Sequence, residues 1–307
     1  RKPWGPFWTV LVMVKRYVSH PLQGLASHLF FLLVQLLPFS WASAIGGWLG
    51  RQIGPGLGIS KRARRNLAIA FPDLQPDEIE KLVVEMWDNL GRTVMEYPLL
   101  KRLRFDGPSP HVETIGTEYL DQLRENGNPG ILFSGHIANW ETQAICMAKW
   151  GLQPHIVYRA PNNPYVERLF ERQHLQNCTM VPKGPKGAKM ALKALSQGGH
   201  LGMLVDQKMN DGIAVPFFGH DAMTAPALAQ FAIKYDCPIV PVRAERVQGL
   251  KFRITCYPPL EIKPTGDRQA DILAIMTEVN RILESWIRKQ PAQWLWLHNR
   301  WPDDLSG

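Results

Sequence analysis

The stretch GHIANWE, Gly135 to Glu141, places an imidazole and a carboxylate five residues apart behind the apolar run Ile131, Leu132 and Phe133. An imidazole with its ordinary pKa near ~6.5 can take a proton from a hydroxyl at neutral pH. A carboxylate on its other ring nitrogen would fix the tautomer and stabilise the imidazolium formed. On a regular helix, residues five apart are rotated by about 140°, so His136 and Glu141 cannot share a helical face. If the two act together, His136 must stand on a strand-to-helix turn, with Glu141 reaching back to it from the first turns of the helix. The chemistry this favours is general-base activation of a hydroxyl, with no covalent enzyme intermediate. Cys146 falls inside the predicted helix and reads as buried packing.

Two more polar residues follow apolar runs. Arg159 ends IVYR, and its planar fork suits a phosphate or a developing oxyanion. Asp206, in LVDQK, is expected to hold either Arg159 or a backbone turn. The run PKGPKGAKMALKAL supplies Lys183, Lys186, Lys189 and Lys193, the last three on one helix face. Such a face is either simply solvated or a dock for an acidic carrier protein or lipid phosphates. The four cysteines form no close pair and the nine histidines no HExxH pattern. Neither a metal site nor a disulfide framework is expected, and a reducing compartment suits the cysteines.

These residues need a scaffold that brings distant strand ends together. Apolar strands are predicted at residues 130–134, 155–158, 179–181, 201–205, 239–244 and 252–257. Helices are predicted between them near 141–150, 164–176, 186–196 and 225–235, and a long closing helix near 269–289. That alternation predicts an α/β fold, a mixed central sheet flanked by helices, with its site at the strands' carboxyl ends. The preceding third reads as helical. Asp77 is expected to cap a helix with Glu80 in a capping box, and the basic run KRARRN before it to be a solvated face.

Ser19–Gly50 contains no charged residue. It predicts a spanning helix, a helix lying in the membrane interface, or a buried core helix. Basic residues on both sides (Lys15, Arg16, Arg51, Lys61) suit an anionic membrane surface. Residues 1–60 are therefore expected to associate with a membrane. Residues 61–307 would form the catalytic domain, with a helical lead-in to about 111. Eleven tryptophans, several near the chain ends (Trp4, Trp8, Trp41, Trp48, Trp294, Trp296, Trp301), suit either interfacial contact or core packing. The net charge of +8 favours acidic partners, but no nucleic-acid-binding module is present.

GHIANWE, YRAPNNPYVERLF, DQK, VPFFG, TAPALAQFA and WLWLHNRW occur in this order over essentially the whole chain. As a set they resemble the bacterial late acyltransferases of lipid A biosynthesis, the lauroyl and myristoyl transferases of the lysophospholipid acyltransferase superfamily. The phosphatidylinositol mannoside acyltransferases share that architecture. The glycerolipid branch typically carries HxxxxD and a PEGT-like block, whereas this chain has Glu141 and no such block. The resemblance implies transfer of a fatty acyl chain from an acyl carrier protein thioester to a hydroxyl of a lipid A precursor, without cofactor or metal. Coenzyme A is the other possible donor. His136 would be the base and Glu141 its orienting carboxylate, with Arg159, Asp206, Asn139, Lys183 and Lys186 binding substrate. The enzyme would sit on anionic lipid at the cytoplasmic side of a bacterial inner membrane. The rival readings are an acyltransferase for another membrane glycolipid or aminolipid, and a non-catalytic basic membrane-binding protein.

Overall fold

Ile131–Ser134 is apolar at nearly every position because both of its faces are covered. In a computed structural model, which describes residues 18–173 and 178–302, strand β2 (Gly130–Ser134) is buried along its whole length. Phe133 stacks on Trp286 of the closing helix α10 (Arg268–Lys289), while Ser134 accepts a hydrogen bond from Gln143 of α6 (Glu141–Lys149). Successive side chains of a strand point to opposite faces, so these contacts place helices on both sides of the sheet.

The sheet also contains β1 (Val112–Ile115), β3 (His155–Tyr158), β4 (Thr179–Pro182), β5 (His200–Leu204), β8 (Ile239–Gln248) and β9 (Lys251–Cys256). Its order is β1-β9-β8-β2-β5-β3-β4. Every pairing is parallel except β8 with β9. The remaining helices of this part are α5 (Glu118–Glu125), α7 (Pro164–Gln173), α8 (Pro185–Ser196) and α9 (Ala227–Tyr235). A separate hairpin, β6 (Lys208–Phe217) and β7 (His220–Thr224), leaves the sheet after β5 and packs on α10. The mixed α/β architecture agrees with the sequence pattern. The short edge strand β1, α5 and the hairpin were not expected, because none carries a long apolar run.

Four helices precede the sheet: α1 (His20–Gln35), α2 (Phe39–Ile53), α3 (Ser60–Ala70) and α4 (Pro76–Glu96). Gln75, not Asp77, caps α4, and Glu78 rather than Glu80 accepts its backbone N–H at 2.8 Å. Pro76 takes the first helical position, where its fixed φ fits and its missing N–H is not needed. Glu80 is occupied by Arg64 at 2.7 Å. Helix α2 lies very close to α4: a β-carbon on Gly46 would come within 2.3 Å of the Gly91 carbonyl.

The basic run is only partly a solvated face. Arg62 donates to the Leu297 carbonyl at 3.1 Å and Arg65 to Asn299 Oδ1 at 3.2 Å. Asn66, fully buried, donates to the carbonyls of Trp296 (2.7 Å) and His298 (2.6 Å). Helix α3 therefore holds the C-terminal WLWLHNRW segment in place. Trp294, Trp296 and Trp301 are buried in the core, which excludes them from any interface.

Among the described residues, no helix is long and apolar enough to cross a membrane. Helix α1 ends at Gln35, and Pro38 stands before α2. Their exposed apolar residues fall on single faces: Leu22, Leu25, Leu29, Leu32 and Leu33 on α1 with Leu36 at its C-cap, and Trp41, Ile45, Trp48, Leu49 and Ile53 on α2. Trp4, Trp8, Lys15 and Arg16 lie outside the described residues.

Candidate active site

Strands β2 and β5 are parallel neighbours, and Ser134 pairs with Leu204. Two residues beyond each lie His136 and Asp206, so the ladder itself brings them together across 70 positions of chain. Asp206 Oδ1 lies 2.7 Å from His136 Nδ1, and Asp206 Oδ2 accepts from the His136 backbone N–H at 2.8 Å. Trp294 Nε1 donates to the same Oδ2 at 2.7 Å. Gly135 permits the approach, since a β-carbon there would sit 3.3 Å from the Asp206 carboxyl.

The carboxylate hydrogen-bonded to the His136 ring, expected to be Glu141, is Asp206. Burial alone would raise the Asp206 pKa. The His136 ring and backbone N–H together with the Trp294 indole outweigh it and hold the carboxyl well below the ordinary carboxylate range. Asp206 is therefore ionised. Its Oδ1 accepts the hydrogen of His136 Nδ1, which in the neutral ring leaves the lone pair on Nε2. Asp206 does not bond to Arg159.

Glu141 opens α6 beside the ring, and its carboxylate accepts from Trp140 Nε1 at 3.1 Å. Burial raises its pKa, against the Trp140 hydrogen bond and the field of His136. Its interaction with His136 is one of charge rather than a hydrogen bond.

The turn that carries His136 is clamped from both sides. Ala138, at φ +54°, occupies the left-handed region that a β-carbon disfavours. Its carbonyl accepts from Asn89 (3.1 Å) and Thr93 (3.3 Å) of α4. Its N–H donates to the Gln293 carbonyl at 2.8 Å. Asn139, expected to bind substrate, is instead fully buried and donates to Glu96 at 2.8 Å. Glu96 is itself buried and accepts both ends of the Arg246 guanidinium, at 2.6 and 2.9 Å. This buried network, although it leaves Asn139 Oδ1 without a hydrogen-bond partner, over-determines the loop, which is how a strained residue persists.

A cavity of about 260 Å³ opens at His136. Its polar mouth is formed by His136, Glu141, Arg159, Lys183 and Gln207, each from a different strand end or the first turn of α6. Burial depresses the Lys183 pKa, and Arg159 adds to this, while Asp206 opposes it. The inner wall is apolar: Leu132, Ile145, Met147, Ile156, Met180 and Gly202 line it between α6 and the sheet. Lys186, Lys189 and Lys193 are exposed on α8, outside the lining. Cys146 is buried, and burial together with Cys256 pushes its thiol pKa far up, so it is a poor nucleophile. Among the described residues, no group of three or more His, Cys, Asp or Glu could hold a metal ion.

Trp294, Gln207, Glu96 and Arg246 were not found from sequence reasoning as parts of this site. Each lies far along the chain from His136, and only the strand order reveals their proximity.

A profile described as bacterial lipid A biosynthesis acyltransferase matches residues 14–303. A lipid A biosynthesis lauroyltransferase of Escherichia coli (strain K12) is 27% identical over 272 residues, 83% of this chain and 86% of that protein. A lipid A biosynthesis acyltransferase of Haemophilus influenzae is 27% identical over 287 residues, 88% of each chain. A lipid A biosynthesis palmitoleoyltransferase of Escherichia coli (strain K12) is 27% identical over 284 residues, 88% of this chain and 87% of that protein.

Proposed function

The chain belongs to the bacterial lipid A biosynthesis acyltransferase family, and on that premise we propose that it moves a fatty acyl chain from an acyl carrier protein thioester to a hydroxyl of a lipid A precursor. The observation that carries this reading is the His136–Asp206 pair, standing at the mouth of a cavity with an apolar interior. The acyl chain lies in that interior, with its thioester carbonyl at the mouth. At about 260 Å³ the cavity is at the small end of ligand sites, sized for a chain rather than a glycolipid.

The acceptor oxygen attacks the thioester carbonyl carbon while its proton passes to His136 Nε2. The tetrahedral intermediate collapses, the carbon–sulfur bond breaks, and the thiolate takes the proton back from the imidazolium. Asp206 holds the ring and stabilises its positive charge through Nδ1–H. Glu141 stands beside the ring without touching it, and burial disfavours its charged form. Arg159 and Lys183 offer cations to the developing oxyanion or to a substrate phosphate. The basic face of α8 suits the acidic carrier protein. The leucine and tryptophan faces of α1 and α2 suit insertion into the headgroup region of the cytoplasmic leaflet of the inner membrane. A non-catalytic membrane binder has no need of an ionised, buried carboxylate on a histidine.

The test is release of thiol from an acyl carrier protein thioester, measured with and without a lipid A precursor. His136→Ala should abolish acceptor-dependent release, a loss on the order of 10²–10⁴ for a positioned base. Wild-type rates in that variant would sink the mechanism.

A further inference from the structure

The Gln207 side-chain nitrogen lies 3.2 Å from Nε2 of His136 and 2.9 Å from Nε2 of His298. An amide nitrogen carries two hydrogens and no available lone pair, so it donates to both rings. Both Nε2 atoms must then be acceptors, with each ring's hydrogen on Nδ1. For His136 this is the tautomer that Asp206 imposes independently from the other side of the ring.

His298 is fixed by its backbone, since its carbonyl accepts from the buried Asn66. Burial, then His136, Lys183 and Arg62, pull its pKa down to about 4 against the field of Asp206. At neutral pH it therefore stays an acceptor for Gln207. The two ring centroids are 5.3 Å apart, a gap that the single amide nitrogen bridges.

We propose that Gln207, held in orientation by His298, is a positioning residue that keeps the His136 Nε2 lone pair directed into the pocket mouth until the acceptor hydroxyl displaces the amide. This rests on the reading of His136 as the base. The amide N–H and the hydroxyl compete for one lone pair. Once Nε2 is protonated, it can no longer face an amide N–H, because two donors would oppose each other. Gln207 therefore acts on the free enzyme and steps aside in the complex with acceptor.

That separation can be measured. Donation to Nε2 favours the neutral ring, so removing the donor raises the pH at which His136 takes up its proton. The other groups around the ring stay in place: Asp206 on Nδ1, itself held by Trp294, Trp140 edge-on at 5.1 Å, Glu141 on α6, and Lys183 and Arg159 at the mouth. In Gln207→Ala, the acid limb of kcat/KM, which reports free enzyme, should move up by roughly half to one pH unit, the value of one neutral hydrogen bond. The acid limb of kcat at saturating acceptor should not move. His298→Leu, which removes the second acceptor, should shift kcat/KM in the same direction. His298→Gln keeps an acceptor oxygen and should restore the wild-type profile.

Nitrogen-15 NMR of histidine-labelled full-length protein in detergent, assigned with His136→Gln and His298→Gln, reads the tautomers without any turnover. Both rings should be Nδ1–H at pH 8. An Nε2–H tautomer on either ring of an active wild type overturns the proposal, as does a limb of kcat that moves together with kcat/KM. A wild type that transfers no acyl group overturns the underlying reading instead, and leaves the tautomer measurement to judge the Gln207 bridge alone.

Discussion

Asp206→Asn is the substitution that separates the two carboxylates near His136. Asp206 Oδ2 accepts from two donors, the His136 backbone N–H and Trp294 Nε1, while Oδ1 faces Nδ1. An asparagine satisfies more of these by putting its oxygen at the Oδ2 position, which turns its NH₂ toward Nδ1. Nδ1 must then accept, the ring hydrogen moves to Nε2, and the base is blocked. Regaining the productive tautomer would set the amide NH₂ against Nδ1–H, leaving two buried donors unsatisfied at ~1–3 kcal/mol each. The resulting ~2–6 kcal/mol corresponds to a rate loss on the order of 10²–10⁴. The assay is initial-rate thiol release with a saturating carrier-protein thioester and acceptor, alongside a thermal melt to show that the fold survives. Glu141→Gln removes no hydrogen bond to the ring, and should cost at most roughly tenfold. If Glu141→Gln proves the more damaging, or Asp206→Asn stays within tenfold of wild type, the assignment of Asp206 as the orienting group is refuted.

Arg246→Met should lower stability by ~3–5 kcal/mol, because Glu96 is left buried and unpaired; the double change with Glu96→Gln should recover much of it in a thermal melt, and a loss below ~1 kcal/mol would contradict the network. Gly202→Ala places a methyl group 2.6 Å from Ile156 Cδ1, a pocket-lining atom, so the chain site should shorten. Competition between thioesters of graded length should then shift toward shorter chains, by roughly fourfold for each methylene excluded, and an unchanged ratio would place the chain elsewhere. Replacing Leu25, Leu29, Leu32 and Leu36 by Gln should abolish cosedimentation with anionic vesicles while leaving the melting temperature nearly unchanged, since all four are exposed. Undiminished cosedimentation would assign membrane contact to another surface.

The sheet was legible in the sequence because its inner strands are buried on both faces and read as short apolar runs. The turn after Ser134 was legible too, since a five-residue spacing cannot sit on one helix. What failed was partner choice. Spacing favours the nearest carboxylate, Glu141, whereas a parallel ladder gives His136 the residue that follows a different strand. Local charge was misread for the same reason. Arg62, Arg65 and Asn66 look like a solvated run, but their partners lie more than 200 residues away and, apart from the Asn299 amide oxygen, are backbone carbonyls, which leave no mark in a sequence. The cap of α4 was misplaced because Asp77 is the better capping residue by type, while Pro76 fixes the first helical position.

The Ser134–Leu204 pairing has an evolutionary consequence. The dyad is set by a rung of the β2–β5 ladder, not by the length of chain between its members. Insertions or deletions in the helices and connections separating those strands leave the dyad intact, so family members can drift in length there without losing chemistry. A single-residue slip is different. Deleting one position between Ser134 and His136, or between Leu204 and Asp206, turns a side chain to the opposite face of the sheet and ends the contact. Homologues are therefore best aligned by rung, and a relative whose His and Asp no longer follow paired residues by two positions has lost this site, however well the rest of its sequence agrees.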